Sequence, residues 1–141
     1  MIYIVTGENQ TGKTTNLFRW LKGKEGILGI LAPTLINKKQ LYSILSDSTK
    51  QLEDNQDVVY EWGKQEIEKA IQSETITTMI VDGISELELE GKGFEPIITQ
   101  LISQQQEQKF TNLILVLPQN ILLQAIEYFQ LDNHKCKMGM P

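Results

Sequence analysis

The sequence predicts a three-layer α/β fold, a mainly parallel sheet covered by helices on both faces, with a small β-hairpin insert. Three observations carry this. Short apolar runs alternate with stretches of helical period, the order that builds a parallel sheet. The runs are apolar at nearly every position, as strands buried on both faces must be. The chain has 141 residues, 40% apolar and 22% charged, one domain's worth with enough apolar material for a core without metal or disulfide staples.

Taken in order, Ile2–Thr6 is a β-branched strand, and a Gly-bounded turn follows at Gly7–Thr14. A helix runs to about Lys22 with Leu17, Phe18 and Leu21 on one face, stopped by Gly23 and Gly26. Ile27–Ala32 is a second strand, ended by Pro33. Residues 38–54 read as a hairpin, Gln40–Leu45 and Lys50–Glu53 flanking Ser46-Asp47-Ser48-Thr49. Asp57–Trp62 fits a strand or an extended link, and Lys64–Ser73 a helix with Ile67, Ala70 and Ile71 as its buried stripe. Thr77–Val81 is a third buried strand ending in Asp82, and Ser85–Gly93 a polar loop. Phe94–Glu107 is the clearest helix, with Phe94, Ile97, Ile98, Leu101 and Ile102 at i, i+3, i+4, i+7 and i+8. Leu113–Leu117 is a fourth strand, Leu122, Ala125, Ile126 and Phe129 mark a last helix, and His134–Met138 reads as a short edge strand. With no repeat, linker or composition break, residues 1–141 are expected to be a single domain.

Composition removes several function classes. The 13 Lys and Arg against 18 Asp and Glu leave a formal charge of −5, a poor basis for sequence-independent binding to nucleic acid or an anionic membrane. One Cys, Cys136, excludes an internal disulfide and any Cys cluster, and one His, His134, argues against a multi-histidine metal site. Arg19 is the single arginine. With a lone thiol, no basic leader pattern at Met1–Glu8 and no apolar run of membrane-spanning length, the expected compartment is the cytoplasm.

The chemistry sits in Gly7-Glu8-Asn9-Gln10-Thr11-Gly12-Lys13-Thr14, a full G-x-x-x-x-G-K-[ST] between a buried strand and an amphipathic helix. Gly7 and Gly12 allow backbone angles a β-carbon forbids, so successive N–H groups turn inward as a nest for phosphate oxygens. The helix starting near Lys13 adds its positive end. Lys13 places a full charge on the β- and γ-phosphates, Thr14 offers a hydroxyl to Mg²⁺, and Thr15 is in reach of the α-phosphate. Glu8, an acid inside a phosphate loop, is expected to face solvent or a neighbouring Lys.

This chemistry also needs an acid on a neighbouring strand to position the metal. Met79-Ile80-Val81-Asp82 supplies it at the carboxyl end of a strand, the edge where such sheets bind ligands. An Asp there that merely caps the next turn is the plainer alternative.

Two segments together, Val5-Thr6-Gly7 through Thr15 and Val81-Asp82-Gly83-Ile84-Ser85-Glu86-Leu87-Glu88-Leu89-Glu90-Gly91-Lys92-Gly93-Phe94, resemble the small P-loop nucleoside-triphosphatases, the family of the human cancer-related nucleoside-triphosphatase and its thermophilic bacterial homologue. That family's second motif runs roughly Asp-Glu-Ile-Gly-x-Leu/Met-Glu-Leu, often followed by Gly-Lys-Gly-Phe. The resemblance is close over residues 1–22 and 77–94, weaker elsewhere, and by order of elements spans nearly the whole chain. It implies a RecA-like P-loop core, Mg²⁺ dependence and slow hydrolysis of several nucleoside triphosphates. Lys13, Thr14, Asp82 and Glu88 match the pattern. Gly83 departs from it, since the family carries there the Walker B glutamate that orients the attacking water. Ser85 replaces a usual Gly, and Lys38 and Lys39 lie near where the family's insert often has Arg, without its bidentate fork.

A missing water-orienting carboxylate removes a role typically worth about 10²–10⁴-fold in rate, while phosphate and metal binding use other groups. Glu86 or Glu88 is the candidate to take over the water, and with Lys13 they form the expected catalytic set; acids simply facing solvent are the plainer account of Glu86 and Glu90. In RecA-like proteins the strand beside the phosphate loop often ends in a polar side chain near the γ-phosphate. Gln119 or Asn120 offers one, against Asn120 as the cap of the next helix. Trp20, Tyr60 and Trp62 are candidates to stack on a base or, more simply, core and rim.

The expected function is Mg²⁺-dependent binding of ATP, GTP or another nucleoside triphosphate, with slow hydrolysis to the diphosphate and phosphate. A single Arg means no arginine finger in cis. Two alternatives stand: a nucleotide-binding regulatory module of little or no activity, suggested by Gly83, and a nucleotide or small-molecule kinase, disfavoured by the lack of an Arg-rich lid. Nothing in the sequence names a protein partner.

Overall fold

The computed structural model describes residues 1–6, 13–35, 38–52, 55–134 and 136–141. Among these, eight strands form one sheet: β1 Ile2–Val5, β2 Ile27–Leu31, β3 Thr34–Leu35, β4 Lys38–Ser43, β5 Ser48–Gln51, β6 Thr78–Val81, β7 Asn112–Val116 and β8 Cys136–Met138. The order is β3-β4-β2-β6-β7-β1-β8, with β5 paired to β4. Strands β2, β6, β7, β1 and β8 are mutually parallel, and β4 runs antiparallel to β2 and β5.

Period-two alternation divides the apolar residues between two faces. Ile2, Ile4, Ile30, Met79, Val81, Leu113 and Leu115 join one cluster. It is covered by α2 (Gln56–Ile71), α4 (Ile97–Gln106) and α5 (Leu122–Tyr128) through Val59, Ile67, Ala70, Ile98, Leu101 and Ala125. Ile27, Leu31, Ile80, Ile114 and Val116 face the other way, where Leu17 of α1 (Lys13–Leu21) packs on them. The three-layer α/β expectation is therefore met.

Register brings the functional ends together. Val5 pairs with Val116, Leu115 with Val81, and Val81 with Ile30, so β1, β7, β6 and β2 end along one carboxyl edge. β7 separates β1, which leads into the Gly-rich segment, from β6, which ends at Asp82.

Several boundaries differ from expectation. Asp57–Trp62 is neither strand nor link but part of α2, whose buried Val59, Tyr60, Gly63, Ile67 and Ala70 form one helical stripe. Phe94 and Glu95 precede α4, which begins after Pro96, a residue without the N–H an earlier helix turn would use. The expected polar loop contains a short helix, α3, at Glu86–Leu89. Asn120 caps no helix: Gln119–Ile121 is a 3₁₀ turn and Ile121 precedes α5. No helix among the described residues is long and apolar enough to cross a membrane.

Candidate functional site

Thr14 lies in the first turn of α1, and Asp82 follows β6. The Thr14 hydroxyl donates to Asp82 Oδ2 at 2.7 Å and lies 3.3 Å from the Ala32 carbonyl. The Ala32 N–H also donates to Asp82 Oδ2 at 3.0 Å, and the Gly83 N–H to Oδ1 at 2.8 Å. Asp82 is 4% exposed, and a carboxylate so buried is tolerable because hydroxyl and backbone donors meet both oxygens. The bond from Thr14 spans 68 positions of sequence, so two motifs read separately share one contact.

Of the expected phosphate-binding set, Gly7, Glu8, Asn9, Gln10, Thr11 and Gly12 lie outside the described residues. Lys13 opens α1. Thr15 is exposed on the same turn. Ala32 was not among the expected site residues. Its contribution is main-chain N–H and carbonyl, which no side-chain pattern reveals.

Gly83 has φ +83°, and a β-carbon there would stand 2.7 Å from the Ala32 β-carbon. A side chain at this position is thus opposed both by the backbone conformation and by the end of β2. The local geometry at Gly83 suits glycine.

Glu88 does not join the Thr14–Asp82 pair. It is fully buried in a capping box: Oε1 accepts from the Ser85 N–H at 2.6 Å and the Ser85 hydroxyl at 3.1 Å, while the Ser85 hydroxyl accepts from the Leu87 N–H at 3.2 Å. Its Oε2 accepts the Phe94 N–H at 2.9 Å. Burial pushes the Glu88 carboxyl up, and these hydrogen bonds oppose the shift. Ser85-Glu86-Leu87-Glu88 is an S-x-x-E sequence, the helix-start signal that accounts for α3 where a polar loop is expected. Glu86 is exposed in the first turn of α3, and Glu90 is exposed 3.8 Å from the Lys92 ammonium.

The aromatic candidates take packing roles. Tyr60 is buried with its ring edge-on to Phe94 at 4.9 Å; burial, and after it the Glu88 charge, pushes its phenol up to about 12. Lys24 sits over the Trp20 ring at 4.7 Å and Lys50 over Trp62 at 5.3 Å. Gln119, Asn120 and Arg19 are exposed. Cys136 donates its S–H to the Leu131 carbonyl, and Lys135 lies outside the described residues. Among the described residues no group of three or more His, Cys, Asp and Glu side chains is placed to hold a metal.

No family model matches the chain, and no curated protein matches it. Among solved structures it matches the crystal structure of THEP1 from the hyperthermophile Aquifex aeolicus with a TM-score of 0.60 and 16% identity, over 98% of this chain and 88% of that one. At that identity the likeness is one of fold.

Proposed function

We propose that the protein binds nucleoside triphosphates with Mg²⁺ and hydrolyses them slowly to the diphosphate and phosphate. The observation that carries this is the 2.7 Å contact between Thr14, at the end of G-x-x-x-x-G-K-T, and Asp82, at the carboxyl end of a strand one removed from β1. The fold likeness to THEP1 supports the same reading. A hydroxyl beside a carboxylate is an oxygen-only donor pair, which suits Mg²⁺. That ion is usually held by one or two carboxylates together with waters and substrate phosphates. Thr14 would hold the ion directly and Asp82 through its waters. The bound ion would offset phosphate charge. Lys13 and the helix N-terminus supply the remaining positive field.

The test is phosphate release from ATP and GTP at saturating Mg²⁺, with Lys13→Ala and Asp82→Asn beside the wild type. Release above both variants is expected. Release equal to that of Lys13→Ala refutes hydrolysis.

A second reading, a nucleotide-binding module with little or no turnover, is favoured by Gly83, where the φ of +83° and the 2.7 Å approach to the Ala32 β-carbon oppose a water-orienting side chain. It predicts a nucleotide-induced rise in melting temperature without phosphate release.

A further inference from the structure

We infer that Glu88 is a positioning residue for the metal-binding side of this site, clamping the turn after Asp82 to helix α2 and the hairpin. The inference rests on the nucleotide reading above and assigns Glu88 a task other than organising water.

The turn begins at Asp82, whose Oδ1 accepts from the Gly83 N–H. The next amide, Ile84 N–H, donates to the Val116 carbonyl at the end of β7 at 3.2 Å. Ser85 N–H then donates to Glu88 Oε1. Three successive amides are thus held, the third by a buried carboxylate. The other Glu88 oxygen takes the Phe94 N–H, six residues further on, so one side chain closes the whole Ser85–Phe94 segment.

Gly93 has φ +62°, and a β-carbon there would fall 1.8 Å from Glu88 Oε2, so the close approach requires glycine. Phe94, held by its amide, is fully buried against Tyr60 of α2. Gly63 of the same helix makes the space: a β-carbon there would meet Phe94 Cε1 at 3.2 Å and Leu41 Cδ1 of the hairpin at 3.3 Å. Burial first, and after it the Glu88 charge, pushes the Tyr60 phenol up, in keeping with a carboxylate close to α2. A physical chain therefore runs from Asp82 through Glu88 and Phe94 to α2 and β4.

Groups that orient a metal-positioning residue typically change metal affinity or activity about 10–100-fold when removed. Glu88→Gln keeps the volume but turns an NH₂ toward backbone donors. Gly93→Ala leaves Glu88 intact and displaces its carboxylate. The control is Gln105→Ala, a buried polar residue whose amide donates to the Thr111 carbonyl before β7, at the opposite edge of the sheet.

Nucleotide affinity is titrated against Mg²⁺, well below each variant's melting temperature. Both Glu88→Gln and Gly93→Ala should need about 10-fold more Mg²⁺ or worse, with metal-free ATP affinity unchanged and Gln105→Ala like wild type. In the wild type, Mg²⁺ and ATP together should slow hydrogen exchange at the Ser85 and Phe94 amides, a readout that needs no variant to fold. Wild-type Mg²⁺ dependence in both site variants, an equal loss in Gln105→Ala, or unchanged exchange overturns the inference while leaving nucleotide binding intact. No ATP binding by the wild type, with or without Mg²⁺, overturns the functional reading and this inference together.

Discussion

Replacing Gly83 by Ala isolates what the turn after Asp82 demands. Holding an L-residue at φ +83° costs about 1–2 kcal/mol. The new methyl would also stand 2.7 Å from the Ala32 β-carbon, well inside the ordinary carbon–carbon separation of about 3.5–4.0 Å. Relieving it means moving the end of β2, an overpacking cost of about 1–3 kcal/mol. Gly91 provides the comparison, because its φ is +78° and a β-carbon there meets nothing within 4 Å. For 141 residues the unfolding entropy is about 0.3 kcal/mol/K, so 1 kcal/mol lowers the melting temperature by about 3 °C. Gly91→Ala should therefore melt about 3–7 °C lower and Gly83→Ala about 7–17 °C lower, measured by circular dichroism. The Ala32 N–H donates to Asp82, so Gly83→Ala should also weaken nucleotide binding and Gly91→Ala should not. A Gly83→Ala protein that melts no lower than Gly91→Ala refutes the contact argument, and one that melts with the wild type refutes the conformational argument as well.

Other outcomes follow from the same geometry. Thr14→Val removes the hydroxyl from Asp82 and should cost about 1.5–3 kcal/mol in urea unfolding, nearer the lower figure because Thr14 is half-buried. Phe94→Ala empties the space between Tyr60 and Gly63 and should cost about 3–5 kcal/mol in the same measurement. Glu88 binds its proton more tightly folded than unfolded, so its contribution is complete at low pH. It falls as pH rises from the ordinary carboxylate range through the raised native value. Stability of the wild type should decline across that interval, and the decline should be shallower in Glu88→Gln.

What the sequence made legible was mostly carried by side-chain pattern. Strands β2, β6 and β7 could be read because each is mostly apolar and buried on both faces. The hairpin is present, but its turn lies at Ile44–Asp47 rather than Ser46–Thr49, because Ser48 and Thr49 pair with Ser43 and Tyr42 in the ladder. The start of α2 reads as a strand or extended link in the sequence because Val58, Val59 and Tyr60 are β-branched or aromatic, types with strand propensity. Tertiary burial of the Val59, Gly63, Ile67 and Ala70 stripe overrides that propensity. At the site, Thr14 and Asp82 were legible as motif residues and meet in space, whereas Ala32 acts through its backbone and Glu88 through a capping box that its acidic neighbours obscured. Gly83 was legible only as a departure from a pattern; its left-handed backbone needed the structure.

The most direct test of the nucleotide site is the melting temperature of the wild type and Lys13→Ala with and without ATP and Mg²⁺. Ligand at about 100 times its dissociation constant should add about 2.7 kcal/mol. That is a rise of about 9 °C in the wild type, lost in Lys13→Ala. The same melting temperature with and without ATP and Mg²⁺ in the wild type, or an equal rise in Lys13→Ala, would contradict the account.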